Sequence, residues 1–405
     1  MNLHKSHKRI ELGKLKLNIL LEVTKGINNN LSKKELTDIY KNVLIDELLI
    51  GKLLLYTIND GVWSQELCIG TSRNNIKVEN DLLHYQDIKL LVNPDNEKLS
   101  PFDVIIPVFH KSKPLSYLML GDFDGEKIEV SPIIKHLTFI QTLTNLIVVA
   151  IENKRLFKDN LKQVAIKKEM EFASEMQNML LPQTLPNNNH IEVSAKYIPH
   201  HLVGGDYYDF IRLNEYEVAF CIADVSGKGV PAALLMSNFQ ASLRALVGRT
   251  DSLSELISEL NINIINSANK EKFITAFIGK YNCKTRELNY INAGHNPPLL
   301  LIENKFKILT EGCTLLGIFK DIPTIVEQKI TIPEKSMLFC YTDGITEQTN
   351  KNGIEYGEEQ LKNAIFLNQK KDIKEINDYI FNELQEFNSL KNYLDDMALL
   401  SFRFK

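Results

Sequence analysis

The pattern of hydrophobic and polar residues divides the chain into three parts, of which the first predicts helices followed by a sheet. Apolar residues recur at helical spacing over residues 12–27 and 31–48, and Asn29 and Asn30 are candidate caps of the second helix. Short apolar runs bounded by Asn, Asp, Gly and Pro then predict strands. These runs are residues 49–58, 61–69, 104–109 and 115–123.

The second part, residues 143–181, contains no glycine or proline and predicts one continuous helix. Its apolar positions follow alternating steps of four and three residues, the spacing of a coiled-coil seam that includes two lysines. The seam consists of Leu143, Ile147, Ala150, Lys154, Phe157, Leu161, Val164 and Lys168, and Phe172, Met176 and Met179 continue it after a shift. We favour a parallel dimeric stalk, and a single amphipathic helix packed on its own domain is the alternative. Pro182 and Pro186 end the helix.

The third part, residues 191–405, alternates strands with a pair of helices. Residues 217–224 and 273–281 predict buried strands, and residues 232–247 and 253–268 predict the helical pair. Further strands are predicted at residues 288–291, 325–332, 337–341 and 397–404. Many strands and few helices in one block predict an α+β sandwich.

The composition is that of an ordinary globular protein, with 44% hydrophobic and 24% charged residues. Lys and Arg number 47 against 51 Asp and Glu, which gives a formal net charge of -4. A nucleic-acid partner is therefore not expected, because there is no basic excess to neutralise phosphates.

The cysteines and the apolar segments indicate a cytoplasmic protein. Five widely spaced cysteines without a C-x-x-C pair predict reduced thiols and no zinc site. The first 20 residues lack the apolar core of a signal peptide. Residues 137–151 are too short and too polar to predict a membrane span.

Acidic residues in the third part follow or precede apolar strands beside glycine. The four places are Gly204-Gly205-Asp206, Asp224 to Gly229, Tyr341-Thr342-Asp343-Gly344 and Leu394-Asp395-Asp396-Met397. Strands that end side by side would bring these carboxylates together, where their mutual repulsion requires a cation. Oxygen ligands without Cys or paired His favour Mg²⁺ or Mn²⁺ over zinc or copper.

Six segments in the same order give the third part a family resemblance. They are residues 171–182 (EFASEMQNMLLP), 203–210 (VGGDYYDF), 223–236 (ADVSGKGVPAALLM), 292–298 (NAGHNPP), 341–347 (YTDGITE) and 395–397 (DDM). This part resembles the PPM, or PP2C-like, metal-dependent serine/threonine phosphatases, specifically their SpoIIE/RsbU branch. The resemblance implies a PP2C-like α-β-β-α sandwich over residues 186–405.

The same resemblance implies a two-metal site with Mn²⁺ or Mg²⁺. Asp224 would bridge the ions, with the Val225 carbonyl on one of them. Asp206 would ligate the second ion, and Asp343 and Asp395 would hold the first.

Three further residues in the matched segments have less definite roles. Asp396 is an alternative ligand to Asp395, although the family pattern places its ligand first. Asp209 is expected to orient its neighbours. Asp224 and Asp343 are the expected catalytic residues. His295 is either a further catalytic residue, as proton donor to the leaving alcohol, or a structural residue of its turn.

The activity implied by the resemblance is hydrolysis of a phosphoserine or phosphothreonine protein by a metal-activated water. For the RsbU-like branch the substrate is typically a STAS-domain antagonist of an anti-sigma factor. A catalytically inactive pseudophosphatase that acts as a dimeric scaffold is the alternative, and the presence of all four Asp residues argues against it. The G-x-G-x-x-A pattern at residues 227–232 is rejected as a dinucleotide fingerprint, because Asp224 would repel a pyrophosphate.

The first part, residues 11–150, resembles a GAF sensor domain in its order of elements, and a PAS-like or other α+β sensor is the alternative. Such a domain implies a small-molecule or protein ligand. The expected organisation is thus a sensor, a helical coiled-coil linker over residues 143–182 and a phosphatase domain, in a homodimer.

Overall fold

The computed structural model describes residues 2–71, 76–92, 94–121, 132–250, 252–268, 272–388 and 393–405. It divides into two units, Met1–Val164 and Ala165–Lys405. This division falls inside the long helix.

The N-terminal unit is an antiparallel sheet with helices, in the predicted order. Its helices are α1 (Asn2–Asn28), α2 (Lys33–Asn42), α3 (Val78–Asp81) and α4 (Pro132–Leu180). Its strands are β1 (Lys52–Asn59), β2 (Val62–Ile69), β3 (Lys89–Leu90), β4 (Val104–His110) and β5 (Lys113–Gly121), in the sheet order β2-β1-β5-β4-β3. Val23, Tyr40 and Ile140 from three helices pack with Leu53 and Ile106 of the sheet. The last predicted strand ends at Gly121, and its final two positions lie outside the described residues.

Helix α2 begins with a cap that differs from the predicted one. Ser32, rather than Asn29 or Asn30, is the cap: its hydroxyl accepts a hydrogen bond from the Glu35 amide at 3.2 Å. The Glu35 carboxylate accepts one from the Ser32 amide at 2.7 Å. This reciprocal pair satisfies two amides that the helix leaves free.

Helix α4 begins at Pro132 rather than at residue 143, and its two halves differ. Leu143 and Ile147 of the predicted seam are buried in the core of the N-terminal unit. Lys154 donates hydrogen bonds to the Asn30 and Leu31 carbonyls at 2.9 and 2.8 Å. The apolar stripe further along is exposed, and it consists of Phe157, Leu161, Val164, Phe172, Met176 and Met179. The alternative of a helix packed on its own domain thus describes the first half of α4, whereas the second half has an apolar stripe that is exposed.

Part of α4, within Ile133–Leu180, is long and apolar enough to cross a membrane by length and composition alone. The expectation from sequence considered only residues 137–151. Buried core helices meet the same criterion, and Ile133 and Ile140 lie in the core. We therefore regard this segment as weak evidence for a span.

The C-terminal unit consists of two stacked sheets with helices outside them. One sheet has the order β13-β10-β9-β8-β7 with β14 beside β10, and the other has the order β12-β11-β15-β16-β6. The strands are β6 (Ile191–Ile198), β7 (Tyr207–Arg212), β8 (Glu217–Val225), β9 (Ile274–Asn282), β10 (Glu287–Ala293), β11 (Leu299–Ile302), β12 (Lys305–Ile308), β13 (Gly312–Cys313), β14 (Gln328–Thr331), β15 (Met337–Tyr341) and β16 (Met397–Phe404). The helices are α5 (Val230–Leu246), α6 (Leu253–Ala268), α7 (Asp343–Thr346), α8 (Gly357–Asn368) and α9 (Ile373–Phe387).

Aromatic residues join the two sheets, and the helices cover them from outside. The rings of Phe220 and Phe402, on strands of different sheets, lie 4.4 Å apart. Helices α5 and α6 pack with the first sheet, and α8 and α9 pack with the second. The result is an α-β-β-α sandwich.

The elements predicted for this unit are all present, but several other elements were not predicted. Helix α6 and strands β15 and β16 have the predicted bounds. The prediction of a single helical pair is wrong, because α8 and α9 form a second one. Strands β6, β7, β11, β12 and β13 were also missed.

Candidate active site

The acidic segments meet because of the way antiparallel strands pair. Asp224 lies at the end of β8, beside the start of β7, which Asp206 precedes. Asp343 follows the end of β15, beside the start of β16, which Asp395 precedes. In each antiparallel pair the end of one strand therefore lies next to the start of its neighbour.

Thr342 connects these two strand pairs across the sandwich. Its buried hydroxyl donates a hydrogen bond to the Asp206 carboxylate at 2.7 Å and accepts one from the Ala398 amide at 2.9 Å. A residue on the second sheet thus orients a carboxylate on the first.

Asp396 holds the loop that leads to Asp206. One of its carboxylate oxygens accepts from the His200 amide at 2.7 Å, and the other accepts from the Gly205 amide at 2.6 Å. A side chain at Gly204 would collide with this carboxylate, which explains the glycine. Because both oxygens of Asp396 are engaged with the backbone, its contacts are those of a structural anchor.

Gln177, near the end of α4, fixes the same loop from another side. Its amide nitrogen donates to the Gly204 carbonyl at 2.6 Å, and its amide oxygen accepts from the Gly204 amide at 3.1 Å. The sequence interpretation included Gln177 in a matched segment but assigned it no role. No local signal distinguished it, because Glu175 and Asn178 beside it are polar as well.

The carboxylates raise one another's pKa values. Burial, followed by the nearby charges of Asp343 and Asp395, raises the pKa of Asp224 to about 7. Burial and the charges of Asp224 and Asp396 raise the pKa of Asp206 well above its usual range. The pKa of Asp343 is raised by burial and by Asp395. The structure therefore places the four predicted carboxylates in one linked set, in which Asp224 and Asp343 interact with Asp395, and Asp206 interacts with Asp224 and Asp343.

Comparison with known proteins identifies the domain that contains this cluster. Residues 214–405 match the family model described as stage II sporulation protein E (SpoIIE). This region is therefore similar to SpoIIE, and it is called the SpoIIE domain below after the matched model. The match begins after Asp206, so the segment that contains Gln177 and the Gly204-Gly205-Asp206 loop lies outside it.

Two curated relatives of the SpoIIE domain come from Bacillus subtilis (strain 168). Phosphoserine phosphatase RsbU is 31% identical over 194 residues, which cover 47% of this chain and 57% of RsbU. Phosphoserine phosphatase RsbP is 24% identical over 188 residues, which cover 45% of this chain and 46% of RsbP. The chain therefore spans about half the length of the curated relatives it matches.

A solved structure confirms the fold of the SpoIIE domain. The SiaA-PP2C domain of Pseudomonas aeruginosa superimposes with a TM-score of 0.53 at 20% sequence identity. The match covers 60% of this chain and 99% of that one. The predicted PP2C-like sandwich is thus correct.

The donor set of the SpoIIE domain suits a hard divalent cation, although the side chains are not arranged around one. Among the described residues, no three His, Cys, Asp or Glu side chains form a ready-made metal site. The cluster nevertheless offers four carboxylates, and burial together with the neighbouring negative charges raises the pKa values of three of them. Gly205 lies against the Val225 carbonyl, because a Cβ atom there would be 2.8 Å from that oxygen. Oxygen donors of this kind fit Mg²⁺ or Mn²⁺.

Asp209 is bound by protein groups away from the acidic cluster. Its fully buried carboxylate accepts hydrogen bonds from Arg244 Nε and Nη2 at 2.7 and 2.9 Å, and another from the Tyr207 hydroxyl. This two-pronged ion pair ties α5 to β7. Arg244 was not predicted from sequence, because it lies far along the chain from its partner.

His295 lies inside its turn with its ring buried. Its Nδ1 atom is 2.9 Å from the Thr275 hydroxyl, and the Asn292 side chain bonds to both the amide and the carbonyl of His295. Burial lowers the pKa of His295 to about 4, which leaves the imidazole neutral near pH 7. These contacts favour the turn interpretation over the proton-donor interpretation.

The five cysteines are free thiols. Burial raises the pKa values of Cys221 and Cys340 well above the ordinary thiol range. Cys221 and Cys340 belong to the core of the SpoIIE domain and supply no ligand to the carboxylate cluster.

Proposed function

We propose that this chain is a metal-dependent protein serine/threonine phosphatase of bacterial signalling. The observation that carries the proposal is the convergence of four carboxylates, three of them with raised pKa values, at one edge of a PP2C-type sandwich. The relatives named phosphoserine phosphatase support the same activity.

In this proposal Asp224 lies centrally, Asp206 holds one ion and Asp343 and Asp395 hold the other, with the Val225 carbonyl as an additional donor. Divalent ions in such a site supply positive charge for phosphoryl oxygens and acidify water. The residues around them keep the carboxylates in place. Thr342 orients Asp206.

The loop before Asp206 is held by two further residues. Asp396 binds its amides, and Gln177 binds Gly204 from α4. A small displacement of a positioning group is sufficient to reduce turnover strongly, because catalysis depends on the placement of charge.

The substrate and the regulation follow from the organisation of the chain. We infer that the substrate is a phosphorylated protein, since a relative is named phosphoserine phosphatase RsbU. The resemblance to the RsbU-like branch implies that this substrate protein has a STAS domain. We assign residues 11–150 to a GAF-like sensor for a small-molecule or protein ligand, residues 143–182 to the linker and residues 186–405 to the phosphatase. The β2-β1-β5-β4-β3 sheet, with α1, α2 and α4 on one face and the short α3 on the other, supports the sensor assignment.

The exposed apolar stripe on the second half of α4 supports a homodimer. Met179 is 74% exposed, and Phe157, Phe172 and Met176 are similarly uncovered. A second copy of the helix would remove this surface from water. We also propose that the protein is located in the cytoplasm.

Replacement of one proposed ligand tests the function. Asp343→Asn should fold normally and lose turnover of p-nitrophenyl phosphate with Mn²⁺ by at least about a hundredfold, because such an ion contributes several kcal/mol to transition-state stabilisation. Asp321→Asn makes the same chemical change in an exposed loop and should leave the rate unchanged.

Two results would contradict the proposal. Full activity of Asp343→Asn would remove the two-metal assignment. Complete inactivity of the folded wild-type chain with saturating Mn²⁺, on both p-nitrophenyl phosphate and phosphorylated STAS proteins, would favour the pseudophosphatase scaffold.

A further inference from the structure

One proposed ligand is already neutralised by a cation of the chain itself. Lys228 Nζ lies 2.8 Å from the Asp395 carboxylate and donates a hydrogen bond to the Leu394 carbonyl at 2.9 Å. Among the ion pairs of the described residues, Asp395 is the one member of the four-carboxylate cluster that has such a partner. The ammonium group thus occupies the side of the cluster that Asp343 and Asp395 form.

We propose that Lys228 is a built-in counter-cation of Asp395 that a divalent ion must displace, so that this lysine sets the metal affinity of the site. The inference rests on the proposed function, since it requires that Asp395 be a metal ligand. Lys228 would thus oppose metal binding, whereas the four carboxylates favour it.

The charge of Lys228 extends beyond its direct partner. It acts to lower the pKa values of both Asp343 and Glu347, against the raising effects of burial and of the neighbouring carboxylates. A divalent ion that approaches Asp343 and Asp395 therefore meets a like charge in addition to an ion pair that must open.

The loop that contains Lys228 can release it without disturbing the strands. Gly227 and Gly229 flank the lysine with φ values of 92° and 72°, in the region that favours glycine. A Cβ atom at Gly229 would have no neighbour within 4 Å, so there is space on that side of the loop, whereas Gly227 on the other side lies against the Lys272 side chain. The Lys228 and Asp395 side chains are 46% and 42% exposed, so water can solvate the ammonium once it leaves.

A purely structural role for Lys228 predicts the opposite result. If the lysine only tied its loop to Leu394 and Asp395, its removal would loosen the site and weaken metal binding. If it competes with the ion, its removal tightens metal binding. The sign of the change therefore separates the two roles.

The experiment is a Mn²⁺ titration of the full chain, with free Mn²⁺ followed by electron paramagnetic resonance. Lys228→Met should bind Mn²⁺ about threefold to tenfold more tightly than wild type, because an exposed ion pair and a nearby like charge are each weak. Lys228→Gln should change the affinity in the same direction, and Lys228→Arg should stay within about twofold of wild type because it keeps the charge.

Lys329→Met is the matched control. It removes a surface ion pair of similar length, between Lys329 and Glu287 at 2.7 Å, on strands outside the cluster. Its Mn²⁺ affinity should equal that of wild type. Circular dichroism of each variant verifies the fold.

Unchanged or weaker Mn²⁺ binding by both Lys228→Met and Lys228→Gln would overturn the inference and leave the phosphatase proposal intact. Absence of Mn²⁺ binding in the wild-type chain would overturn the metal site and the inference together. The two proposals therefore fail in distinguishable ways.

Discussion

Two adjacent aspartates show how much the position of a single residue matters. Asp396 turns inward and accepts two backbone amides, whereas Asp395 faces Lys228 and is partly exposed. The sequence contains two identical side chains here, and nothing local distinguishes them. Their different roles arise from the direction that each side chain takes in the turn before β16.

A buried histidine makes stability depend on pH. Burial lowers the pKa of His295 to about 4 from its ordinary 6.5, so between these values the unfolded chain binds a proton that the folded one does not. Its contribution to stability is present above pH 6.5 and is lost as the pH falls towards 4, by about 3 kcal/mol at most.

Chemical unfolding of wild type and His295→Asn at about pH 7.5 and pH 5 measures this effect. We expect the wild type to lose more stability than the variant on acidification. The comparison of pH dependences cancels the contribution of the carboxylates, which both proteins share. An equal loss in the two proteins would contradict the prediction.

At the scale of elements, α4 combines two environments in one helix. Its first half supplies core residues such as Leu143 and Ile147, and its second half exposes Phe157 and Met176. A heptad-like spacing is common to both halves, since burial in a core and pairing in a coiled coil need the same apolar stripe. The sequence pattern therefore could not tell where one environment ends and the other begins.

A change of phase in α4 should alter activity if the helix regulates the phosphatase. Four residues inserted near Lys162 rotate and shift the following stripe, whereas seven inserted residues restore the heptad phase. We expect the four-residue insertion to change phosphate release by the full chain severalfold, and the seven-residue insertion to preserve most of the wild-type rate. Unchanged kinetics of the four-residue variant in a protein that light scattering shows to be dimeric would contradict this role.

At the scale of the whole molecule, each unit has a core of its own. The two clusters that stabilise the sandwich contain residues from Leu181 to Phe404 only. We expect residues 165–405 to fold without the rest of the chain, with a cooperative thermal transition in circular dichroism. Non-cooperative melting of this fragment would show that the N-terminal unit is needed for its stability.

The elements found from sequence were those with strong local patterns. Helix α6 and strands β15 and β16 have clear apolar periodicity, and their bounds were correct. The pattern of α9 was also present, with Ile373, Ile376 and Ile380 at helical steps, and should have predicted a second helical pair. Strand β6 was harder to identify, because it pairs with β16 at the opposite end of the domain sequence.

The sequence by itself indicated the three-part organisation, the long helix, the family resemblance of the third part and the four carboxylates. These features depend on residue types and on their order along the chain. Only the tertiary structure showed that Asp396, Thr342 and Gln177 hold the loop and the carboxylates, and that Lys228 pairs with Asp395. The partners in each of these contacts are far apart in sequence, so their meeting depends on how the two sheets stack, and local patterns do not specify that geometry.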